Sequence, residues 1–260
     1  MEASALLVDE LHSDAGPQSP LVVLVHGSMD RHTSFARIRN RLVESCHVVS
    51  YDRRGYAGSR AVSPPARGLE DHLADLAKVV AGRSATLVGH SYGGTLVLAF
   101  AARHPELTAS LLAYEPPLSW LEWWPTRGER SRPFGEMSGP EAAESFLVRM
   151  LGERYHRLPL RTREEAALDG DALVRELTAL RADPPPFEPE EITPPALVAR
   201  GENASSHQLR GTELLVARMP KAELRLIAGA GHDGHRSHPR QFAALVLEAV
   251  ALAGTVESQA

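Results

Sequence analysis

Apolar residues along this chain follow two alternating rhythms. Short runs rich in Val, Leu and Ala recur at residues 5–11, 21–25, 48–51, 85–88, 109–114, 196–199 and 222–227. The run at 21–25, apolar at every position, suits a strand buried on both faces of a sheet. Between them the apolar residues fall three or four apart, as helices require. Phe35, Ile38, Leu42 and Val43 mark one such helix, and Leu69, Leu73, Leu76, Val79 and Val80 a second. Residues 95–102, 209–218 and 239–252 read as further helices, the first of them apolar all round. Strand and helix in strict alternation predict an α/β fold with a mostly parallel sheet covered by helices on both sides.

The rhythm breaks at Glu115-Pro116-Pro117. Residues 118–191 contain no strand pattern. They carry an aromatic cluster (Trp120, Trp123, Trp124), a polar loop over 125–140, helical patterns over 141–155 and 163–180, and a Pro-rich closing stretch at 183–186. A helical excursion of this length between sheet strands predicts a cap over a site at the sheet edge. The expected organisation is a core formed by residues 1–117 and 192–260, with 118–191 inserted as the cap.

Composition narrows the class of partner. Apolar residues make up 43% and charged ones 23%, as in ordinary globular chains, and the net charge of −5 comes from interspersed acids and bases. With no Lys/Arg stripe, nucleic acid is not an expected partner. The single cysteine, Cys46, precludes an internal disulfide and fits a reducing compartment. Met1-Glu2-Ala3-Ser4 opens no apolar leader, and no run is long enough to span a bilayer, so a soluble, cytoplasmic protein acting on a small molecule is expected.

The chemistry concentrates at Gly89-His90-Ser91-Tyr92-Gly93-Gly94, set between an apolar strand and an apolar helix. Gly-x-Ser-x-Gly in that setting is a nucleophile elbow: a strained turn lifts the serine hydroxyl out of the sheet and leaves the Tyr92 N–H at a helix start. His26-Gly27-Ser28 follows another strand, and its Ser28 N–H is the natural second donor of an oxyanion hole. His232 stands in a glycine-rich loop, Gly229-Ala230-Gly231-His232, just after the last strand, where an imidazole can exchange a proton with a serine. His235, His238 and Asp233 recur nearby, but their spacing gives no ligand geometry, and no metal is expected. Asp52-Arg53-Arg54-Gly55 reads as a loop pinned by an Asp–Arg contact, without chemistry of its own.

Taken in this order, His26-Gly27, Asp52-x-Arg54-Gly55, the elbow, a cap insertion and the Gly-Ala-Gly-His loop resemble the α/β-hydrolase superfamily over nearly the whole chain. The resemblance implies a triad in the order nucleophile, acid, histidine, with Ser91 as nucleophile and His232 as base. Many relatives carry an aspartate three residues after the glycine that ends the strand following the cap; here Ala204 stands three after Gly201. Two glutamates can replace it. Glu115 ends the strand after the elbow helix, where some haloalkane dehalogenases keep their acid, and Pro116 favours an extended backbone there. Glu202 is the alternative. Because haloalkane dehalogenases and epoxide hydrolases place aspartate at the elbow, a serine there points instead to esters, thioesters or lactones cleaved through an acyl-enzyme, without a cofactor. Trp120, Trp123 and Trp124 either line an apolar acyl pocket or pack the cap. Cofactor-free perhydrolases, acyltransferases and a non-catalytic binding or receptor module on the same fold are the competing readings.

Overall fold

Seven strands form one sheet in the computed structural model, which describes residues 6–125, 132–181 and 185–257. In chain order the core elements are β1 (Val8–Leu11), β2 (Leu21–Val25), α1 (Ala36–Leu42), β3 (His47–Tyr51), α2 (Leu69–Val80), β4 (Ala85–His90), α3 (Tyr92–Arg103) and β5 (Thr108–Tyr114). The insertion contributes α4 (Gly139–Leu151), α5 (Leu160–Ala167) and α6 (Gly170–Ala179). The core then resumes with β6 (Ala196–Gly201), α7 (Ser206–Arg218), β7 (Ala222–Ile227), α8 (Gly234–Ser237) and α9 (Pro239–Glu257). The strands run β1-β3-β2-β4-β5-β6-β7 across the sheet, antiparallel only between β1 and β3.

Alternation along the strands divides the core. Val22 and Leu24 of β2 face α1 and α9, alongside Val48, Val88 and Leu112. Val23 and Val25 face the other way, onto Leu76, Leu96, Phe100 and Leu215 of α2, α3 and α7. Because β3 lies on one side of β2 and β4 on the other, the chain reverses direction across the sheet there. Such a switch point opens a crevice beyond the strand ends. No helix among the described residues is long and apolar enough to cross a membrane.

The strand runs match the expected positions, but the insertion departs from its pattern in one respect. The single helix expected over 163–180 is two helices, α5 and α6, broken at Leu168-Asp169. Asp169 is drawn onto the core, where Oδ1 accepts the Ala57 N–H at 3.1 Å and pairs with Arg60. A continuous helix would forfeit that buried contact. Parts of the expected polar loop (126–131) and of the Pro-rich stretch (182–184) lie outside the described residues, as does residue 5 of the first strand.

Candidate active site

Strand register assembles the site. Val25 of β2 pairs with Gly89 of β4, so His26-Gly27-Ser28 continues beside His90-Ser91. His90 pairs with Tyr114 of β5, which sets Glu115 beside Ser91, and Tyr114 pairs with Ala199 of β6. Ser91 takes φ 52°, ψ −123°, a conformation disfavoured for a residue with a Cβ. The chain then turns so sharply into α3 that a Cβ on Gly93 would stand 2.1 Å from the Val25 carbonyl oxygen. Gly94 and Thr95 both donate to the Ser91 carbonyl, at 2.7 and 3.2 Å, and lock the turn. The Tyr92 N–H at the head of α3 and the Ser28 N–H hydrogen-bond no other described residue.

Glu115 is fully buried, and its two oxygens are separately engaged. Oε1 accepts the Gly201 N–H at 2.9 Å, and Oε2 lies 2.7 Å from His232 Nδ1. Its backbone is not extended, as the following proline suggested, but left-handed, with φ 46°. Leaving the strand this way turns the carboxylate under the end of β6, while the Glu115 N–H keeps its bond to Ala199 O at 2.9 Å. Glu202 does not approach the histidine; its Oε2 accepts the Gly229 N–H at 2.8 Å on an exposed turn. The loop carrying His232 is held by Tyr114 Oη, donating to Gly231 O at 2.8 Å, and by His90 Nε2, donating to His232 O at 2.9 Å. With Nδ1 on Glu115, Nε2 is the nitrogen left for Ser91. The structure shows no hydrogen bond between Nε2 and the Ser91 hydroxyl; such contacts are often loose before substrate binds.

Several neighbours gave no signal in the sequence. Gln208, in the first turn of α7, accepts the Ser205 N–H through Oε1 at 3.0 Å and brings Nε2 within 2.7 Å of His232 Nδ1. His207 packs edge-on against Trp124 at 4.8 Å; burial, and next the charges of Arg149 and His232, lower its pKa. The loop expected to be held by an Asp–Arg contact is organised differently. Asp52 accepts the backbone and ring N–H groups of His32, at 2.8 and 2.7 Å, and the Gly58 N–H at 2.9 Å. Arg54 instead clamps Asp75, with both bonds at 2.6 Å.

Arg53, fully buried, donates to the carbonyls of His26 and Gly27, both at 2.9 Å, and pairs with Glu176 of α6. Glu176 also accepts the Ser28 and Tyr56 hydroxyls, each at 2.8 Å, and lies 3.3 Å from His72 Nε2. Burial alone would push this carboxyl up, but the Arg53 charge and the His72 contact outweigh it and bring it down to about 2. A side chain from the helices between β5 and β6 thereby fixes the loop that carries the Ser28 N–H.

The tryptophans divide. Trp120 meets Phe187 edge-on at 5.4 Å and lines a cavity of about 260 Å³ with Leu118, Leu214 and Arg218. Neither Ser91, Glu115 nor His232 lines that cavity. Trp123 lies under the Arg210 guanidinium, 4.2 Å away, and Trp124 abuts α7. Trp120 and Trp124 pack against the main apolar cluster.

A second cluster lies behind the elbow, where Asp30, His90 and His235 are all buried and gathered within 4.8 Å. The sequence hid it, because 60 and 145 residues separate its members along the chain.

Comparison with known proteins agrees with this architecture. Residues 22–245 match the model of the alpha/beta hydrolase family. The chain is 28% identical over 242 residues to 2-(acetamidomethylene)succinate hydrolase of Mesorhizobium japonicum, covering 82% of this chain and 81% of that one. It is 33% identical over 108 residues to epoxide hydrolase 3 of Xenopus tropicalis, a match spanning 38% of this chain and 28% of that longer protein. Among solved structures, the enol-lactonase of Burkholderia xenovorans LB400 superposes with a TM-score of 0.74 at 18% identity, over 95% of this chain and 96% of the other. The chain belongs to the alpha/beta hydrolase family.

Proposed function

We propose that this chain is a serine hydrolase that cleaves a carboxylic ester or a related acyl bond, a thioester or lactone, through an acyl-enzyme on Ser91. The reading is carried by the His232 ring, fixed through Nδ1 to a buried Glu115 at 2.7 Å, beside a serine held in an elbow. Glu115 orients the ring and stabilises the imidazolium; Nε2 takes the Ser91 proton as Oγ attacks the acyl carbon. The carbonyl oxygen gathers charge facing the Ser28 and Tyr92 N–H groups. As the acyl–oxygen or acyl–sulfur bond breaks, His232 returns the proton to the leaving group. Water then repeats the sequence in reverse roles and frees the acid and Ser91. Catalysis needs no metal or cofactor in this scheme, and the substrate is a small molecule. A lactonase and a succinate-derivative hydrolase among the similar proteins support a hydrolytic reading.

The lack of a hydrogen bond between the Ser91 hydroxyl and His232 favours one second reading, a binding module that keeps the fold without turnover. A fluorophosphonate probe separates the two. Covalent labelling of Ser91 in folded protein, abolished by Ser91→Ala and strongly slowed by His232→Gln, is the expected result. A folded protein that the probe leaves unlabelled is a binding module. If the labelled protein shows no ester hydrolysis, transfer of the acyl group to an alcohol or to peroxide becomes the activity to assay.

A further inference from the structure

The cluster behind the elbow has groups left over. His90 donates through Nε2 to His232 O, so its Nδ1 carries a lone pair, and that atom is buried with no hydrogen-bond partner. His235 Nδ1 is likewise buried without a partner, Nε2 meets only Asp30, and the ring centroid lies 4.0 Å from that of His90. Asp30 faces the same space. Its Oδ1 is occupied by the Arg31 N–H at 2.9 Å and by Arg236, whereas Oδ2 has only His235 Nε2, 3.3 Å away. Phe35 and Phe242 close the far side, with centroids 5.3 and 6.1 Å from the His235 ring.

Buried, unpartnered imidazole nitrogens are costly unless something satisfies them. Burial, with the neighbouring His235 and His232, lowers the His90 pKa far below the ordinary histidine range and keeps the ring neutral. Burial pushes the Asp30 carboxyl up, but His235 and Arg236 more than offset this and hold it ionised. Two imidazoles and one carboxylate in an apolar shell form a donor set suited to a borderline divalent ion such as Zn²⁺.

We infer that Asp30, His90 and His235 form a binding site for a divalent transition-metal ion, and that the ion clamps the oxyanion loop, the end of β4 and α8 together. Tetrahedral ligands about 2.0–2.2 Å from zinc lie about 3.3–3.6 Å apart. The 4.8 Å spread must therefore contract on binding, through rotation of the two rings. Asp30 is slightly exposed, and Arg236, half-exposed above it, can swing aside to admit the ion. The site adjoins the proposed nucleophile without using it. A Cβ on Gly27 would stand 2.9 Å from Ser91 Cβ and 3.1 Å from His90 Nδ1, so the clamp bears on the loop that ends in Ser28.

The test is metal binding to chelator-treated protein. Co²⁺, followed by its visible absorption, and Zn²⁺, followed by calorimetry, are titrated into wild type and into Asp30→Asn, His235→Gln and His232→Gln. One equivalent should bind wild type and His232→Gln alike and raise Tm. Asp30→Asn and His235→Gln should each weaken binding by at least about 100-fold. If Asp30→Asn fails to fold, His235→Gln decides. The inference is overturned if wild type binds no stoichiometric ion. It is equally overturned if the ion binds both variants as tightly as wild type, or disappears with His232→Gln. None of these readouts depends on turnover, so a failed hydrolase reading and a failed metal site remain distinguishable.

Discussion

Two side chains of the proposed triad sit on backbone that residues with a Cβ rarely adopt: Ser91 at φ 52° and Glu115 at φ 46°. Each such residue costs on the order of 1–3 kcal/mol, so the surrounding hydrogen bonds must over-determine both turns. For Ser91 these are the Gly94 and Thr95 N–H groups; for Glu115 they are its own N–H on Ala199 O and its carboxylate between Gly201 and His232. Glu115 therefore acts on one atom, His232 Nδ1. In the proposed triad the carboxylate holds the Nδ1 proton, which leaves Nε2 a lone pair for Ser91. Gln208 Nε2, also 2.7 Å from Nδ1, can only donate, and it does so to the opposite tautomer, in which Nε2 carries the proton and cannot act as base. Glu115→Gln should lower kcat for ester hydrolysis by about 10³–10⁴ through this loss of tautomer control. Glu202→Gln, on its exposed turn, should leave kcat within about twofold, consistent with the small effects of surface substitutions. Steady-state kinetics on a p-nitrophenyl ester compare the two directly, and equal losses would remove Glu115 from its role. Gln208→Ala tests the competition. It should raise kcat at neutral pH or leave it unchanged, and a loss would mean that the amide supports the ring.

At the scale of elements, the attachment of α6 to the core matters most. Glu176 reaches from the insertion into the loops after β2 and β3 and gathers Arg53, Ser28, Tyr56 and His72 on one buried carboxylate. Asp169, at the start of the same helix, holds Ala57 and Arg60. Two buried acids spaced two turns apart make α6 a strap rather than a free lid. Glu176→Gln keeps the shape and strands the buried Arg53 charge, which should cost about 3–5 kcal/mol of stability. Urea unfolding measures it, and a loss below about 1 kcal/mol would mean that water or another group already neutralises Arg53. Little of this strap is legible in the sequence. The strands and core helices are, because an unbroken apolar run or a three-four spacing is set by local burial. Ser91 and His232 are legible for a related reason, since each carries its own local glycine pattern. Glu176 sits in an amphipathic helix like any surface glutamate, and only the docking of α6 makes it the partner of Arg53, 123 residues away. The break at Asp169 is hidden in the same way, since a tertiary contact overrides a helix-favouring pattern.

Across the whole molecule, a set of histidines buried in the neutral state sets the response to acid. His26 lies under the loop that follows β2, accepting the Arg53 N–H at Nε2 and donating from Nδ1 to Gly27 O. Burial first, and then the Arg53 charge, bring its pKa down to about 4. His72 on α2 and His90 at the end of β4 are lowered mainly by burial as well. In the unfolded chain each of these rings takes up a proton near pH 6.5. Between that pH and the depressed folded values, the unfolded state binds more protons. Stability therefore rises with pH through this window and is lost as pH falls. His26 alone contributes on the order of 3 kcal/mol by the time pH reaches its folded value. The depressed carboxyls of Glu176 and Asp30 act in the same direction, but only below about pH 4.5, where unfolded carboxylates begin to titrate. The losses should therefore come in two stages, histidines first. Thermal melts followed by circular dichroism should show Tm steady above about pH 7 and falling from about pH 6.5 to pH 5, ahead of the loss from the Glu176 and Asp30 carboxyls. A Tm that stays level down to about pH 5 would mean that these rings take up protons in the folded protein as readily as in the unfolded chain, and that the buried imidazoles are more open to water than their packing indicates.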